Sequence, residues 1–446
     1  MDFFSHSEDD VKKLMGELGV GHIDELFKDI DPEKLNPTLD LPVPMTEKEV
    51  AELLKEKASK NCAGDCISLA GGGVYDTYIP AVVDELAARG EFYTAYTPYQ
   101  AEVSQGTLQV IFEFQSMICS LTGMEAANAS MYDGASALAE AVLMAFRQKK
   151  KANNVYIAKS INPFYKKVIK TYLSGFDYSI NEIPFKENGL LDIDFLKSQD
   201  LNETCAIVVS NPNFFGLFES GLEELNDIKK ENKLLLIAQQ NLLSQSLLKG
   251  GDELGFDIVA GEAQNMGNYP GFGGPLLGFL ATTKKLLRKL PGRIVGLSED
   301  VDGKKAYVLT LQAREQHIRR QTATSNICSN EALCATRSTI YMALLGKQGL
   351  SQLALYNMER TERLIEIFKR FGFKERFQTP YFNENVLYHE KIDETFERLT
   401  EKGLVCGILL KDHLGDDFKN CILICGTEKL TDKKLEKVSS ILKEVL

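Results

Sequence analysis

The chain has 446 residues, 44% hydrophobic and 26% charged, with a formal net charge of −12. That composition describes a soluble globular protein with length for two or three domains. It argues against a nucleic-acid binder, which needs Lys and Arg in excess on one face, and no run of about 18 apolar residues marks a membrane span.

The N-terminal MDFFSHSEDDVKK is acidic and lacks the basic and apolar regions of a signal peptide, so a cytoplasmic location is expected. Ser7 ahead of Glu8, Asp9 and Asp10 reads as a capped helix start, with Val11, Leu14, Met15 and Leu18 on one face. Gly19 and Gly21 end it. A short helix around Ile23–Phe27 stops near Asp31-Pro32, and the proline-rich stretch from Leu35 to Pro44 reads as extended. Residues 1–45 form an N-terminal helical arm. It is too poor in apolar residues to fold alone and is expected to wrap over another surface.

From Thr46 the pattern changes, and residues 46–330 read as one large domain. A helix carrying Val50, Leu53 and Leu54 leads to Gly71-Gly72-Gly73, which is weak evidence for phosphate binding and ordinarily a mobile loop. Tyr93, Tyr96 and Tyr99 surround Thr97-Pro98, with Gln100 following, ahead of a core helix from Ser104 to Leu121. Tyr96, Thr97, Tyr99 and Gln100 could line a neighbouring site; a packed aromatic turn is an equal alternative. MYDGASALAEAVLMAF puts Gly134-Ala135-Ser136 at the mouth of an alanine-rich helix, where free N–H groups can cradle an anion or be served by a capping serine.

Apolar runs then recur at Val155–Ala158, Ala206–Val209, Leu234–Ile237, Ile258–Val259 and Leu277–Leu280. Helix-compatible segments at Pro163–Leu173, Gly221–Glu231 and Leu242–Lys249 lie between several of them. The expected result is an α/β fold with a mainly parallel sheet covered on both faces, whose ligands sit beyond the carboxyl ends of the strands. SNPNFFGLFES and LLLIAQQN place polar turns at two such ends. Asp257–Thr283 holds a glycine-rich loop and no lysine; Lys249 and Lys284 fall outside it, on expected helices.

Arg314, His317, Arg319 and Arg320 precede a small polar run that includes Ser325 and Asn326. Arginine suits carboxylate recognition, although a surface ion-pair cluster is the commoner explanation. Residues 331–446 read as a small α+β domain, opening on helices through Ile340–Leu345 and Leu353–Phe368 and closing on an amphipathic one. The pairs Cys62/Cys66 and Cys421/Cys425 could each put two thiols on one helical turn, but without nearby histidines no metal is expected.

Together these segments resemble the PLP-dependent transferase fold of the aspartate-aminotransferase type (type I). More specifically, YTAYTPYQAEVSQGTLQVIFEFQSMI, MYDGASALAEA, SNPNFFG, VAGEAQNMGNYPGFGGPLLGF and REQHIRRQTATSNICSNEALCA are similar to the N-terminal half of the glycine cleavage system P-protein. In many bacteria and archaea that half is a separate alpha chain. The resemblance implies that Gln264 stands near the Schiff-base lysine position, and that Ala238, Gln239 and Gln240 replace the aspartate that protonates the pyridine nitrogen. Gly134 and Ser136 would be a vestigial phosphate cradle. It further implies that pyridoxal 5'-phosphate is carried by a beta subunit (subunit 2), with glycine as substrate and the lipoyl group of H-protein as acceptor. Tyr96, Thr97, Tyr99, Gln100, Ser325 and Asn326 are the candidates for lining the partner's site. A structural or regulatory pseudoenzyme is the alternative.

Overall fold

The computed structural model describes residues 6–35 and 37–446. Asn36, inside the expected extended arm, and the first five residues lie outside them. The chain divides into two compact units, Met1–Gly64 and Asp65–Leu446. In the first, Ser7 and Thr46 make reciprocal capping boxes with Asp10 and Glu49 and start helices Glu8–Leu18 and Glu47–Ser59. Neither helix buries a residue, and Leu18, Leu41, Val43 and Leu54 are exposed.

The second unit begins with β1 (Ile67–Ser68) and builds a seven-stranded sheet. Its strands are β2 (Ala126–Ala127), β3 (Asn154–Ala158), β4 (Ser179–Ile183), β5 (Thr204–Asn211), β6 (Leu235–Gln240), β7 (Ile258–Glu262) and β8 (Gly278–Thr282). They lie in the order β2-β8-β7-β6-β5-β3-β4. β4, β3, β5, β6 and β7 run parallel, and β8 is antiparallel to both its neighbours. Crossovers containing helices produce the parallel pairs, whereas the lysine-free loop from β7 to β8 holds only a 3-10 turn and returns the chain antiparallel. Every residue of β5 is buried, which is why it reads as a continuous run and not as an alternation. Helix Gly134–Gln148 is buried from Gly134 through Phe146, and its alanines let it lie close against the sheet.

Some local expectations need correction. Helix Leu242–Gln245 is one turn, so Lys249 is not helical; it pairs with Glu223 at 3.0 Å. β4 has a polar, half-exposed edge pattern, and β2 has two residues, so neither gives a periodic signal. An antiparallel hairpin, β9 (Ile294–Glu299) and β10 (Lys305–Thr310), turns at Asp300–Gly303.

Helix Ala332–Arg370 breaks at Gly346, whose φ of 61° and ψ of −177° leave the helical region. Its first half packs Ala335, Tyr341 and Met342 into the core of the large sheet, and its second half packs Leu364, Ile365 and Phe368 into another core. The latter lies around β11 (Lys374–Glu375), β12 (Glu384–Tyr388), β14 (Ile408–Leu409) and β15 (Cys421–Cys425), with β13 (Leu404–Val405) beside them. β1 pairs parallel with β13, so a segment ahead of the large sheet joins this C-terminal body. Cys421 and Cys425 sit on a strand, not on a helical turn. Among the described residues no group of three or more His, Cys, Asp or Glu side chains could hold a metal ion. Among the described residues no helix is long and apolar enough to cross a membrane.

Candidate functional site

The carboxyl ends of β3, β5, β6 and β7 open on one side of the sheet, where the loops after them bring together Asn162, Tyr165, Pro212–Phe214, Gln239, Asn241, Glu262 and Gln264. Gln264 follows β7 by two residues and is fully buried. Its Oε1 accepts from the Tyr75 N–H at 2.9 Å, and its Nε2 donates to the carbonyls of Tyr75 at 3.1 Å and Asn268 at 2.6 Å. The side chain thus ties the β7 loop to the segment after Gly71-Gly72-Gly73. That glycine segment is held in place: Gly72 N–H donates to Glu384 at 2.6 Å, and Asn162 Nδ2 donates to the Gly72 carbonyl at 2.6 Å. The mobile-loop expectation is corrected there. Gly72 has φ +71°, a left-handed backbone that favours glycine, and an added Cβ would meet the tip of the Ile408 side chain at 2.7 Å.

Glu262, the last residue of β7, points at the start of helix Gly134–Gln148. Its carboxylate accepts from the N–H groups of Gly134 at 2.8 Å, Leu277 at 2.8 Å and Gln264 at 2.9 Å. Ser136 N–H is taken by Asp133 at 2.7 Å. Two of the orphan donors that make a helix start an anion site, the N–H groups of Gly134 and Ser136, are therefore taken by carboxylates of the chain itself. A Cβ on Gly134 would meet Tyr165 OH at 2.4 Å and Glu262 N at 2.8 Å, so the cradle is filled as well as neutralised. Gln239, at the end of β6, accepts from Ser210 Oγ and presents a neutral amide. Tyr75 OH donates to Glu384 at 2.8 Å across the remaining space, a cavity of about 30 Å³. That volume suits a water or so.

These residues do not fit pyridoxal 5'-phosphate. There is no amine at Gln264, no free donor at Gly134 or Ser136, and no carboxylate at Gln239.

Three carboxyls are buried near this end of the sheet. Burial raises Glu262 from the usual 4.5 to about 7 against the pull of its three N–H donors. Burial likewise lifts Glu384 and Glu219 to about 7. A carboxyl raised on folding is protonated more readily in the folded chain than in the unfolded one. Its contribution is complete below pH 4.5 and is lost as pH rises through about 7. We predict that the melting temperature falls between pH 5 and pH 8 and that Glu384→Gln flattens the fall. A melting temperature that rises across this window would contradict the prediction.

The sequence-predicted lining residues lie in two places. Tyr96 is 81% exposed and Tyr99 is 52% exposed, so a packed aromatic turn is not what forms. Thr97 is partly buried and Gln100 is exposed. Arg293 Nη2 donates to Tyr99 OH at 3.1 Å, and the Tyr99 ring meets His317 edge-on at 5.6 Å. Arg314 donates to the Gly292 carbonyl at 2.7 Å, and Arg319 to the Ala313 carbonyl at 2.9 Å. Of the expected surface ion-pair cluster, His317 pairs with Glu315 at 3.6 Å, and among the described residues no ion pair forms on Arg314, Arg319 or Arg320. Ser325 and Asn326 line a separate recess of about 400 Å³ with Glu140, Arg147, Tyr172 and Phe176, and Ser325 Oγ donates to Glu140 at 2.8 Å. Sequence reasoning missed Tyr75, Glu262 and Glu384. The one available signal was a glutamate ending a buried strand.

The profile of the family described as "Glycine cleavage system P-protein" matches residues 1–442. The chain belongs to this family. A P-protein relative from Aquifex aeolicus, named probable glycine dehydrogenase (decarboxylating) subunit 1, is 42% identical over 443 residues, covering 99% of this chain and 100% of its own. A relative of the same name from Carboxydothermus hydrogenoformans is 43% identical over 444 residues, 99% of each chain. The crystal structure of an inhibitor-bound glycine decarboxylase (P-protein) superimposes with a TM-score of 0.90 at 38% identity over the whole of both chains. Aspartate aminotransferase from Thermus thermophilus, at 14% identity, aligns with a TM-score of 0.54 over 91% of this chain and 98% of its own, which shows the PLP-dependent transferase fold alone. The P-protein kinship over full length favours a subunit of the enzyme over a detached pseudoenzyme.

Proposed function

We propose that this chain is the alpha subunit of a glycine dehydrogenase (decarboxylating), acting with a beta subunit that carries the lysine and pyridoxal 5'-phosphate. The observation that carries the reading is the internal filling of the chain's own cofactor position by Gln264 and Glu262, in a member of the P-protein family matched over residues 1–442. When bound to the partner, the cofactor supplies an electron sink for glycine decarboxylation. This chain's residues position and exclude. Tyr96, Thr97, Tyr99 and Gln100 face the partner's site, Tyr96 and Gln100 from exposed positions, and Ser325 and Asn326 line its approach. The aminomethyl group passes to the lipoyl arm of H-protein. Residues 1–45, 46–330 and 331–446 serve as arm, large domain and small domain, the arm lying over the partner.

The test compares the purified chain with its mixture with the lysine-bearing subunit, in glycine–bicarbonate exchange and after borohydride reduction with pyridoxal 5'-phosphate. Exchange is expected only in the mixture, and the isolated chain should acquire no stoichiometric pyridoxyl adduct. Exchange by the isolated chain, or one reduced lysine in its folded core, would refute the assignment.

A further inference from the structure

Arg293, the residue before β9, is among the largest fully buried side chains of the chain, at 2% exposure. Its backbone is fixed on both sides. The Arg293 carbonyl accepts from Ala129 N–H at 2.8 Å, and the Gly292 carbonyl before it accepts from Arg314 Nη2 at 2.7 Å. The guanidinium donates from Nη2 to Tyr99 OH at 3.1 Å and from Nη1 to Asn330 Oδ1 at 3.4 Å, with its centre 5.5 Å from the middle of the Tyr99 ring. Among the described residues no ion pair forms on Arg293. Burying a charge without a counter-charge is costly, and a well-packed apolar side chain in its place is often neutral or stabilising. Packing therefore does not account for this arginine.

Its one contact that leads to the surface is Tyr99, which is 52% exposed. A guanidinium can only donate, whereas a phenol has one O–H donor and two acceptor positions. Arg293 occupies an acceptor position of Tyr99, so the hydroxyl hydrogen is what remains, and among the described residues it has no acceptor. A hydroxyl whose oxygen is held by a cation in this way is polarised as a donor, and it suits an anionic oxygen best. Tyr96, at 81% exposure, differs: among the described residues its hydroxyl makes no hydrogen bond, so nothing fixes its direction.

We propose that Arg293 is a positioning residue, closed off from the ligand itself, that fixes the Tyr99 hydroxyl as a one-way donor to an anionic oxygen in the partner's site. That oxygen belongs to the substrate carboxylate or to the cofactor phosphate. The assignment rests on the placing of the tyrosine loop proposed above, and it singles out Tyr99 from Tyr96 as the residue that recognises the anion.

The test is a double-mutant cycle on the complex assembled with the lysine-bearing subunit, using Arg293→Met, Tyr99→Phe and both together. Methionine keeps an apolar stem and removes the charge and the donors. The readouts are glycine–bicarbonate exchange over a range of glycine concentrations and the absorbance of pyridoxal 5'-phosphate retained after dialysis. Arg293→Met is expected to lower kcat/KM by about tenfold. In the Tyr99→Phe background it should change kcat/KM by less than about threefold, because both residues act through one hydroxyl. A higher KM for glycine with the cofactor retained assigns the substrate carboxylate; loss of retained cofactor with KM unchanged assigns the phosphate. Should Arg293→Met fail to fold, Arg293→Lys, which keeps the charge but not the planar fork, should lower kcat/KM by about threefold and lose that effect in Tyr99→Phe. An Arg293 effect of the same size in both backgrounds would overturn this inference and leave the placing of the loop standing. Parental exchange and cofactor retention in Tyr99→Phe would overturn it together with the role of Tyr99 in the partner's site.

Discussion

Gln264→Leu is expected to destabilise the chain by about 3 kcal/mol. Leucine matches the volume but leaves Tyr75 N–H, the Tyr75 carbonyl and the Asn268 carbonyl without the partners that Gln264 gives them. Each buried group left unmet costs roughly 1–3 kcal/mol, and the three losses overlap because they share one side chain. Urea unfolding of the parent and the variant measures the difference. A cost below about 1 kcal/mol would mean that the clamp between the glycine segment and the β7 loop is relieved by water or by backbone movement.

Gln264→Lys is the informative companion. Lysine can still donate to the two carbonyls, but it cannot accept from Tyr75 N–H. The helix start remains occupied by Glu262, and Gln239 remains neutral. Restoring the amine alone therefore leaves two obstacles, one to the phosphate and one to the ring nitrogen. The variant is expected to decarboxylate no glycine without the partner subunit, and such activity would contradict the filled-site account.

Tyr96→Phe and Tyr99→Phe are expected to lower the exchange rate of the assembled complex by about 5- to 150-fold, the equivalent of roughly 1–3 kcal/mol for a hydrogen bond that matters chiefly in the transition state. The two variants should differ in stability. The Tyr96 ring is largely in solvent, so its variant should melt with the parent. Tyr99 OH accepts from Arg293, a guanidinium buried to 2% exposure, so its loss should also cost about 1 kcal/mol of stability. Exchange rate and melting temperature measured on the same complexes separate positioning from packing. Normal turnover in both variants would remove this loop from the partner's site.

The fold class was legible because its signal is local. A strand covered on both faces shows a continuous apolar run, as β5 and β7 do, and the intervening helices begin and end at prolines, glycines and capping residues. Where that physics is absent the sequence is silent. β4 lies at an edge with a half-exposed, polar pattern, and β2 is too short for a period.

The absence of lysine from Asp257–Thr283 is likewise a fact of sequence alone, and with the family match it is the ground for proposing a lysine-bearing partner. What fills the position in its place was decided by tertiary structure. Glu262 meets Gly134 from 128 residues away, Tyr75 reaches Gln264 across 189, and Glu384 closes on Tyr75 across 309. No periodicity or motif encodes such pairs. They form because the sheet order and the return of β1 to the C-terminal body bring buried donors and acceptors to one place, and in a dry interior each must find a partner there.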